Sequence, residues 1–450
     1  MKTPKLLQVF NSLTKQEKEQ FKKYLTVEFS PTPKHSIVLY NYLNSCGNGF
    51  NLEQAWQATN TAKPYNNNSL RKIMFDLCEL LEQFISISEY IKNGLKQGSS
   101  VSTALKNRQL NKLAYSTLTQ QKTNNELDAY QNAQELFLLQ ATNREKGNNL
   151  QEVINYLEEF YVVEKLKWIL TSYSQKKITQ TQVTIYNESE TIKRAQLFTL
   201  NIKIQGYYNA IKTITEANAE PYYQTLEQLL AHHTHQLPII HGKNLYTQAI
   251  NYCIKQINAG NKIYEKKAFE LYKKGLENAI LLDHNTLSHF TYKNIITLAL
   301  KLKEFNWAFK AINTYKNFLS PLFINSYFNF CLTLYYFEIK EYKRALKILT
   351  SVEYEDALLS LNAKSIQLKA YYEQAAFDTL EYFLKSFKSY VKRKKLSDAI
   401  KANFLNLILL TEKLLLCNQK EDFEALQNTI SQTTPLSSKE WLLNVVGRYC

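Results

Sequence analysis

The sequence predicts an all-α fold: a helical N-terminal module followed by an α-α superhelix, a solenoid of stacked hairpins. Three observations lead there. The 450 residues include only 10 Gly and 8 Pro, where average usage would give roughly 30 and 22. Both residues punctuate turns, so their scarcity points to helices with short connections. Apolar residues recur at helical spacing, and few segments alternate strictly, so almost no β-structure is expected. In the second half, an aromatic residue precedes an alanine four times: Tyr264–Ala268, Phe305–Ala308, Tyr342–Ala345 and Tyr372–Ala375. Those alanines are 40, 37 and 30 positions apart. A unit of that length is one helical hairpin, and stacked hairpins make a solenoid.

Residues 1–98 read as a helical N-terminal module. Thr3-Pro4 offers a cap with Pro at the first helical position. Thr14 and Glu17 form a capping box, and the helix after it carries Phe21, Tyr24, Leu25 and Phe29. Ser30-Pro31-Thr32-Pro33 breaks the chain. A helix over 35–46 ends at Gly47-Asn48-Gly49. Asn51 and Gln54 resemble a second capping box. A polar loop, Tyr65 to Ser69, precedes a helix over 70–91 with Ile73, Met74, Leu77, Leu80, Leu81, Phe84 and Ile87 on one face. Gly94, Gly98, Ser99 and Ser100 form the linker candidate.

Residues 101–240 read as a helical connector, with helices over 102–121, 124–145, 149–172, 188–218 and 221–235. Gly147 precedes the third. The pattern is lost from Ser174 to Asn187, which predicts a loop or an irregular crossover. Residues 241–450 hold the repeats. Helix pairs are expected at 244–258 with 262–281, 286–302 with 305–318, 321–338 with 341–351, 355–371 with 375–394, and 397–417 with 420–431. Ser437 and Glu440 would cap a last helix, 438–447, that covers the end of the stack. The alanine of each unit allows the two helices to approach to about 8–10 Å.

These segments resemble tetratricopeptide repeats, in which the second helix opens with aromatic-x-x-Ala, a large residue follows four positions on and a small one seven on. Ala268, Tyr272 and Gly275 follow that pattern. Phe305-Ala308-Ile312 and Tyr342-Ala345-Leu349 follow its first positions, and Tyr372-Ala375 departs furthest. The resemblance implies a scaffold, and no peptide-binding residue of that family transfers. The chain also resembles a group of bacterial helical-repeat proteins. That likeness rests on Leu13-Thr14-Lys15-Gln16-Glu17 with Phe21 and Tyr24, Tyr65-Asn66 with Leu70-Arg71, Glu158 to Leu166, and Ser386-Phe387 with Arg393. It adds architecture and no chemistry.

The formal net charge is +15, spread along the chain with a modest peak between 301 and 400. A diffuse surplus favours solubility and weak attraction to acidic partners; a nucleic-acid footprint is denser. The six cysteines stand far apart with no C-x-x-C, so buried reduced thiols are expected. No apolar run approaches the ~20 residues of a membrane span, and the N-terminus lacks a signal-peptide core. A cytoplasmic protein is the expectation.

Four of the seven histidines cluster near residue 235. His232, His233 and His235, with His241 beyond, have imidazole spacings that could hold zinc or nickel. No further ligand lies near them in sequence, so a solvated helix end is expected and no metal or cofactor is assigned. Lys385, Lys388, Lys392, Arg393, Lys394 and Lys395 form a basic patch. It suits an acidic or nucleic-acid partner, or equally a helix C-terminus whose dipole favours cations. Asn66 to Lys72 could read DNA or simply cap a core helix. Phosphate-loop, dinucleotide and nucleophile-elbow motifs are absent, and pairs such as Glu158-Glu159 and Glu355-Asp356 point apart on a helix. The expectation is a non-enzymatic scaffold that binds a protein or peptide on the concave face, with Asn294, Lys301, Asn325, Asn329 and Lys364 facing the groove. The alternative is a nucleic-acid-associated regulator using the basic surface.

Overall fold

A helix that ends on one left-handed residue, with a new helix starting two or three residues later, is the joint that organises this chain. The computed structural model describes residues 4–25, 33–47, 49–59, 64–92, 94–123, 125–140, 149–179, 183–352, 354 and 356–450. The joint occurs at Gln109 (φ 61°), Gly260 (95°), Lys303 (62°), Lys340 (64°) and Ala375 (54°). Each closes the helix before it with the same pair of main-chain bonds. The Lys340 amide donates to Phe337 O at 3.0 Å and the Glu341 amide to Tyr336 O at 2.8 Å. Gln109/Leu110, Gly260/Asn261, Lys303/Glu304 and Ala375/Ala376 repeat those offsets at 2.8–3.0 Å. This satisfies carbonyls that a helix end otherwise leaves without partners.

The chain forms two compact units, Met1–Tyr161 and Val162–Cys450. The first contains α1 (Lys5–Ser12), α2 (Lys15–Tyr24), α3 (Lys34–Cys46), α4 (Leu52–Thr59), α5 (Asn67–Lys92), α6 (Gly94–Asn107), α7 (Asn111–Thr119) and α8 (Glu126–Gln140). The Thr14–Glu17 capping box opens α2. Asn51 Oδ1 accepts from the Glu53 and Gln54 amides, but Gln54 Oε1 takes the Tyr42 hydroxyl instead of closing a box. Phe21, Leu39, Tyr40, Leu70 and Leu77 are buried together. The expected linker at 94–100 is helix, the first turns of α6. The expected single helix over 102–121 is a hairpin, α6 and α7, bent at the Gln109 joint. Thr3, Phe29, the break at Ser30-Pro31-Thr32, Asn48, Gly147 and Glu355 lie outside the described residues.

α9 spans Leu150–Thr179. It is helical through residues 174–179, where a loop or an irregular crossover was expected, because no Gly or Pro stands there. The expected helix 188–218 is broken into α10 (Glu188–Arg194), a 3-10 turn and α11 (Ile202–Thr215). Asn201 causes the restart: its side chain accepts from the Lys203 and Ile204 amides.

Hairpins follow in series: α11 with α12 (Glu220–His233), α13 (Ile239–Asn258) with α14 (Ile263–Glu277), and α15 (His289–Lys301) with α16 (Phe305–Tyr315). Then come α17 (Pro321–Glu338) with α18 (Tyr342–Ser351), α19 (Ala357–Glu373) with α20 (Phe377–Arg393), and α21 (Asp398–Leu414) with α22 (Lys420–Gln432). α23 (Lys439–Val446) ends the series. A two-stranded ribbon, β1 (Leu282–Asp283) and β2 (Thr286–Leu287), is the β-structure among the described residues. The second unit is thus an all-α solenoid in which each hairpin packs on the next.

Three joints place the same residue in the same contact. Five positions after the left-handed residue stand Ala114, Ala308 and Ala345, all fully buried. Four further on stand Leu118, Ile312 and Leu349, also buried. The fourth expected segment, Tyr372–Ala375, is out of phase. Tyr372 belongs to the end of α19, and Ala375 is the left-handed residue itself. The true equivalents are Phe377, where α20 starts, and Leu380, fully buried five positions after the joint. Leu380 lies in a separate apolar core. One core runs from Val162 to Ala370; another, from Leu361 to Val446, unites α19–α23. The first pair departs too: Glu265 holds the fifth position after Gly260, and Ala268 comes one turn later.

Candidate functional site

Call the first helix of each hairpin A and the second B. Successive A helices touch (α11 with α13, α15 with α17, α17 with α19) more closely than successive B helices do. The A helices therefore form one side of the stack.

The joint also fixes a ladder on that side. Lys301, Glu338 and Glu373 each end an A helix, two residues before Lys303, Lys340 and Ala375. Glu265, nearly buried at the start of α14, takes the Lys301 ammonium at 2.7 Å. Lys369, one turn before Glu373, rests its ammonium 4.7 Å from the Phe337 ring. Surrounding protein disfavours charge here: it pushes the Glu338 carboxyl up from its ordinary value and the Lys369 ammonium down.

α23 lies against this ladder. Its apolar face, Leu442, Val445 and Val446, is buried in the second core. Its other face turns to the A helices. Glu440 approaches Lys262 at 3.4 Å and Lys301 at 3.9 Å. The Trp441 Nε1–H donates to Glu373 Oε1 at 2.9 Å. The Arg448 guanidinium donates to both Glu373 oxygens, at 2.9 and 3.0 Å. The Trp441 ring meets Tyr372 edge-on at 5.6 Å and packs against both cores. Burial opposes ionisation of Glu373, but the hydrogen bonds from Arg448 and Trp441 outweigh it and hold the carboxyl below its usual range. The expected Ser437–Glu440 cap is absent. Ser438 precedes the helix in a left-handed conformation with no side-chain cap, and Glu440 reaches the ladder instead.

Of the five residues expected to face the groove, Lys301 stands in the ladder. Asn294 is half-buried beside Tyr272, which it hydrogen-bonds. The Asn329 amide donates back to Asn325 one turn earlier in α17, to its main-chain oxygen at 2.7 Å and its side-chain oxygen at 2.8 Å. Lys364 turns to α20, its ammonium 4.8 Å from the Tyr390 ring and 5.7 Å from Phe383. In the basic patch, Lys388 is near Glu412 at 3.5 Å and Lys394 lies over Tyr390 at 4.8 Å. Lys385, Lys392, Arg393 and Lys395 are exposed. His232 and His233 end α12, and His235 sits in the 3-10 turn beyond. Among the described residues, no three His, Cys, Asp or Glu side chains gather to hold a metal. Asn66 Oδ1 accepts from the Ser69 amide at 3.0 Å, and Leu70 is buried, so the 66–72 segment caps α5.

A second polar cluster joins α12, α13 and α14 beside a cleft of about 450 Å³. Glu220 accepts from Tyr252 at 3.0 Å, from Gln224 at 3.1 Å and from Tyr264. Burial raises its pKa, and these donors more than reverse that, so the carboxyl sits below its usual range. Lys267 pairs with Glu227 at 3.0 Å and lies over the Tyr223 and Tyr264 rings. Its donors and acceptors satisfy one another, which suits a brace between hairpins.

No model of a known protein family matches the chain, and no curated protein matches it.

Proposed function

We propose that the second unit is a divergent tetratricopeptide-type superhelix that holds a protein or peptide partner against its A helices, as a scaffold without catalysis. One observation carries this reading. A helix, α23, already rests on the A-helix ladder through ion pairs, an indole and a bidentate guanidinium. Surfaces of this kind take helices by anchoring a few side chains at turn spacing. The reading places the protein in the cytoplasm, where its six reduced thiols would persist. No helix among the described residues is long and apolar enough to cross a membrane.

The test is site-specific photo-crosslinking in the native cell. A photoreactive residue replaces Thr297 or Lys301 on the A side of α15, or Asn313 on α16. A discrete polypeptide adduct at the first two positions and not at the third supports the scaffold. Equal labelling at all three, or none, defeats it. The exposed Lys385, Lys392, Arg393 and Lys395 support a second reading, contact with nucleic acid. It requires retention on heparin that falls steeply with salt.

A further inference from the structure

The α20–α23 end of the solenoid has its own apolar core, which meets the longer core at α19 and at Trp441. A small swing about α19 can therefore separate the inner face of α23 from Lys262, Lys301 and Glu373, and the Trp441 ring, which packs against both cores, is the apolar contact it breaks. The contacts that oppose the swing are mostly open to water. Glu440 is 61% exposed, Lys262 76% and Arg448 52%, against 10% for Glu373. Exposed pairs are weak and screened by salt. Along α23 and the turn after it the order is carboxylate, indole, then guanidinium seven residues on. Along the ladder it is Lys262 and Lys301, then Glu338, then Glu373. The two sequences of charge match at their ends, Glu440 with Lys262 and Lys301 and Arg448 with Glu373, while Glu440 and Glu338 repel between them.

We propose that the ladder is the docking site for a partner helix that presents this same face, and that α23 occupies it as an intramolecular competitor. The partner carries an acidic side chain beside a tryptophan, with an arginine about two turns on. Its acidic group takes Lys262 and Lys301; its indole and guanidinium share Glu373. The idea rests on the scaffold reading and adds the chemistry of the partner and the regulation of its access.

Two measurements on the full chain test it. Spin labels at Thr297 and Glu424 report the distance between α15 and α22. The doubly charge-reversed E440K/R448E chain, and its milder E440Q/R448Q version, should give a longer and broader distribution than the parent. Restoring the opposite charges with K301E/E373R in the E440K/R448E background should shorten it again. A labelled peptide with the sequence of residues 436–449 should bind E440Q/R448Q at least tenfold more tightly than the parent chain. Binding should be lost when K301E/E373R alters the ladder of that variant. Circular dichroism confirms that each variant stays folded. An unchanged distance in both opened variants, or peptide binding that ignores the ladder substitutions, overturns the proposal. Neither measurement uses the cellular partner. Photo-crosslinks that persist while these fail would retire the competitor and leave the scaffold standing.

Discussion

Ala345 offers the sharpest test of the hairpin contact. It is fully buried between α17 and α18, and Ala308 and Ala114 hold the same place in their own hairpins. Replacing Ala345 with leucine adds three carbons where no solvent space exists. Overpacking of this kind costs about 1–3 kcal/mol. Leu380 gives the converse case: it fills the equivalent position of α20 and is also fully buried, so Leu380→Ala should cost about 2–5 kcal/mol through the cavity it leaves. The two substitutions exchange the same side chains at structurally equivalent points, and both should destabilise. For a unit of this size, each kcal/mol lowers the melting temperature by about 2–4 °C. Solenoids unfold in parts, so hydrogen exchange read peptide by peptide is the better assay. Protection should fall first in α17–α18 for A345L and in α19–α20 for L380A. If A345L leaves exchange of 321–351 unchanged, the helices are not in close contact there. If L380A is silent, the rephased fourth repeat is wrong.

Other outcomes follow from the joints, the ladder and the thiols. Lys340 holds φ 64°, where a β-branched residue is strained. Lys340→Val should cost about 1–2 kcal/mol, whereas Lys340→Gly should be neutral or slightly stabilising, as paired thermal melts would show. Arg448→Met should cost about 1–2 kcal/mol, less than a buried pair because Arg448 is half exposed and screened. The native pKa of Glu373 lies below its unfolded value; Arg448, Trp441 and Lys340 face it, with Lys369 on its own helix. Its contribution is therefore complete above the unfolded carboxyl pKa of about 4.3 and is lost as pH falls through the native value. Acid titration of R448M should lose less stability over that window than the parent; an identical loss refutes the assignment. Burial pushes the Cys253 thiol up to about 12 and that of Cys331 upward as well. Iodoacetamide at pH 8 should modify exposed Cys450 and spare those two until the chain unfolds, as peptide mass mapping would reveal.

Much of the architecture could be read before any coordinates. α17 spans 321–338 as expected, because Ser320-Pro321 marks its start and Lys340 its end. Two of the misses share one physical cause. Three of the four joints on ordinary side chains, at Gln109, Lys303 and Lys340, carry long polar residues that do not announce a left-handed turn. The fourth, Ala375, looked like helix and pulled the repeat five residues out of phase. Gln109 hid a hairpin inside what looked like one helix. Gly94 and Gly98 looked like a linker because isolated glycines punctuate most chains, yet here they lie in α6. The ladder was only partly legible. Lys301 was singled out only as a groove-facing side chain, and Glu373 and Arg448 stand 75 positions apart with nothing local to link them. Their shared offset from the joint would have revealed Glu338 and Glu373 once that joint was known.

The left-handed joint has a consequence for how such a chain changes over time. Its geometry is written in amide-to-carbonyl bonds, so Gln, Gly, Lys and Ala all serve at the bend. Few side chains are then held to one identity for the corner to form. Inheritance can erode almost every letter of a hairpin while its angle survives, and kinship fades from the alphabet long before it fades from the shape.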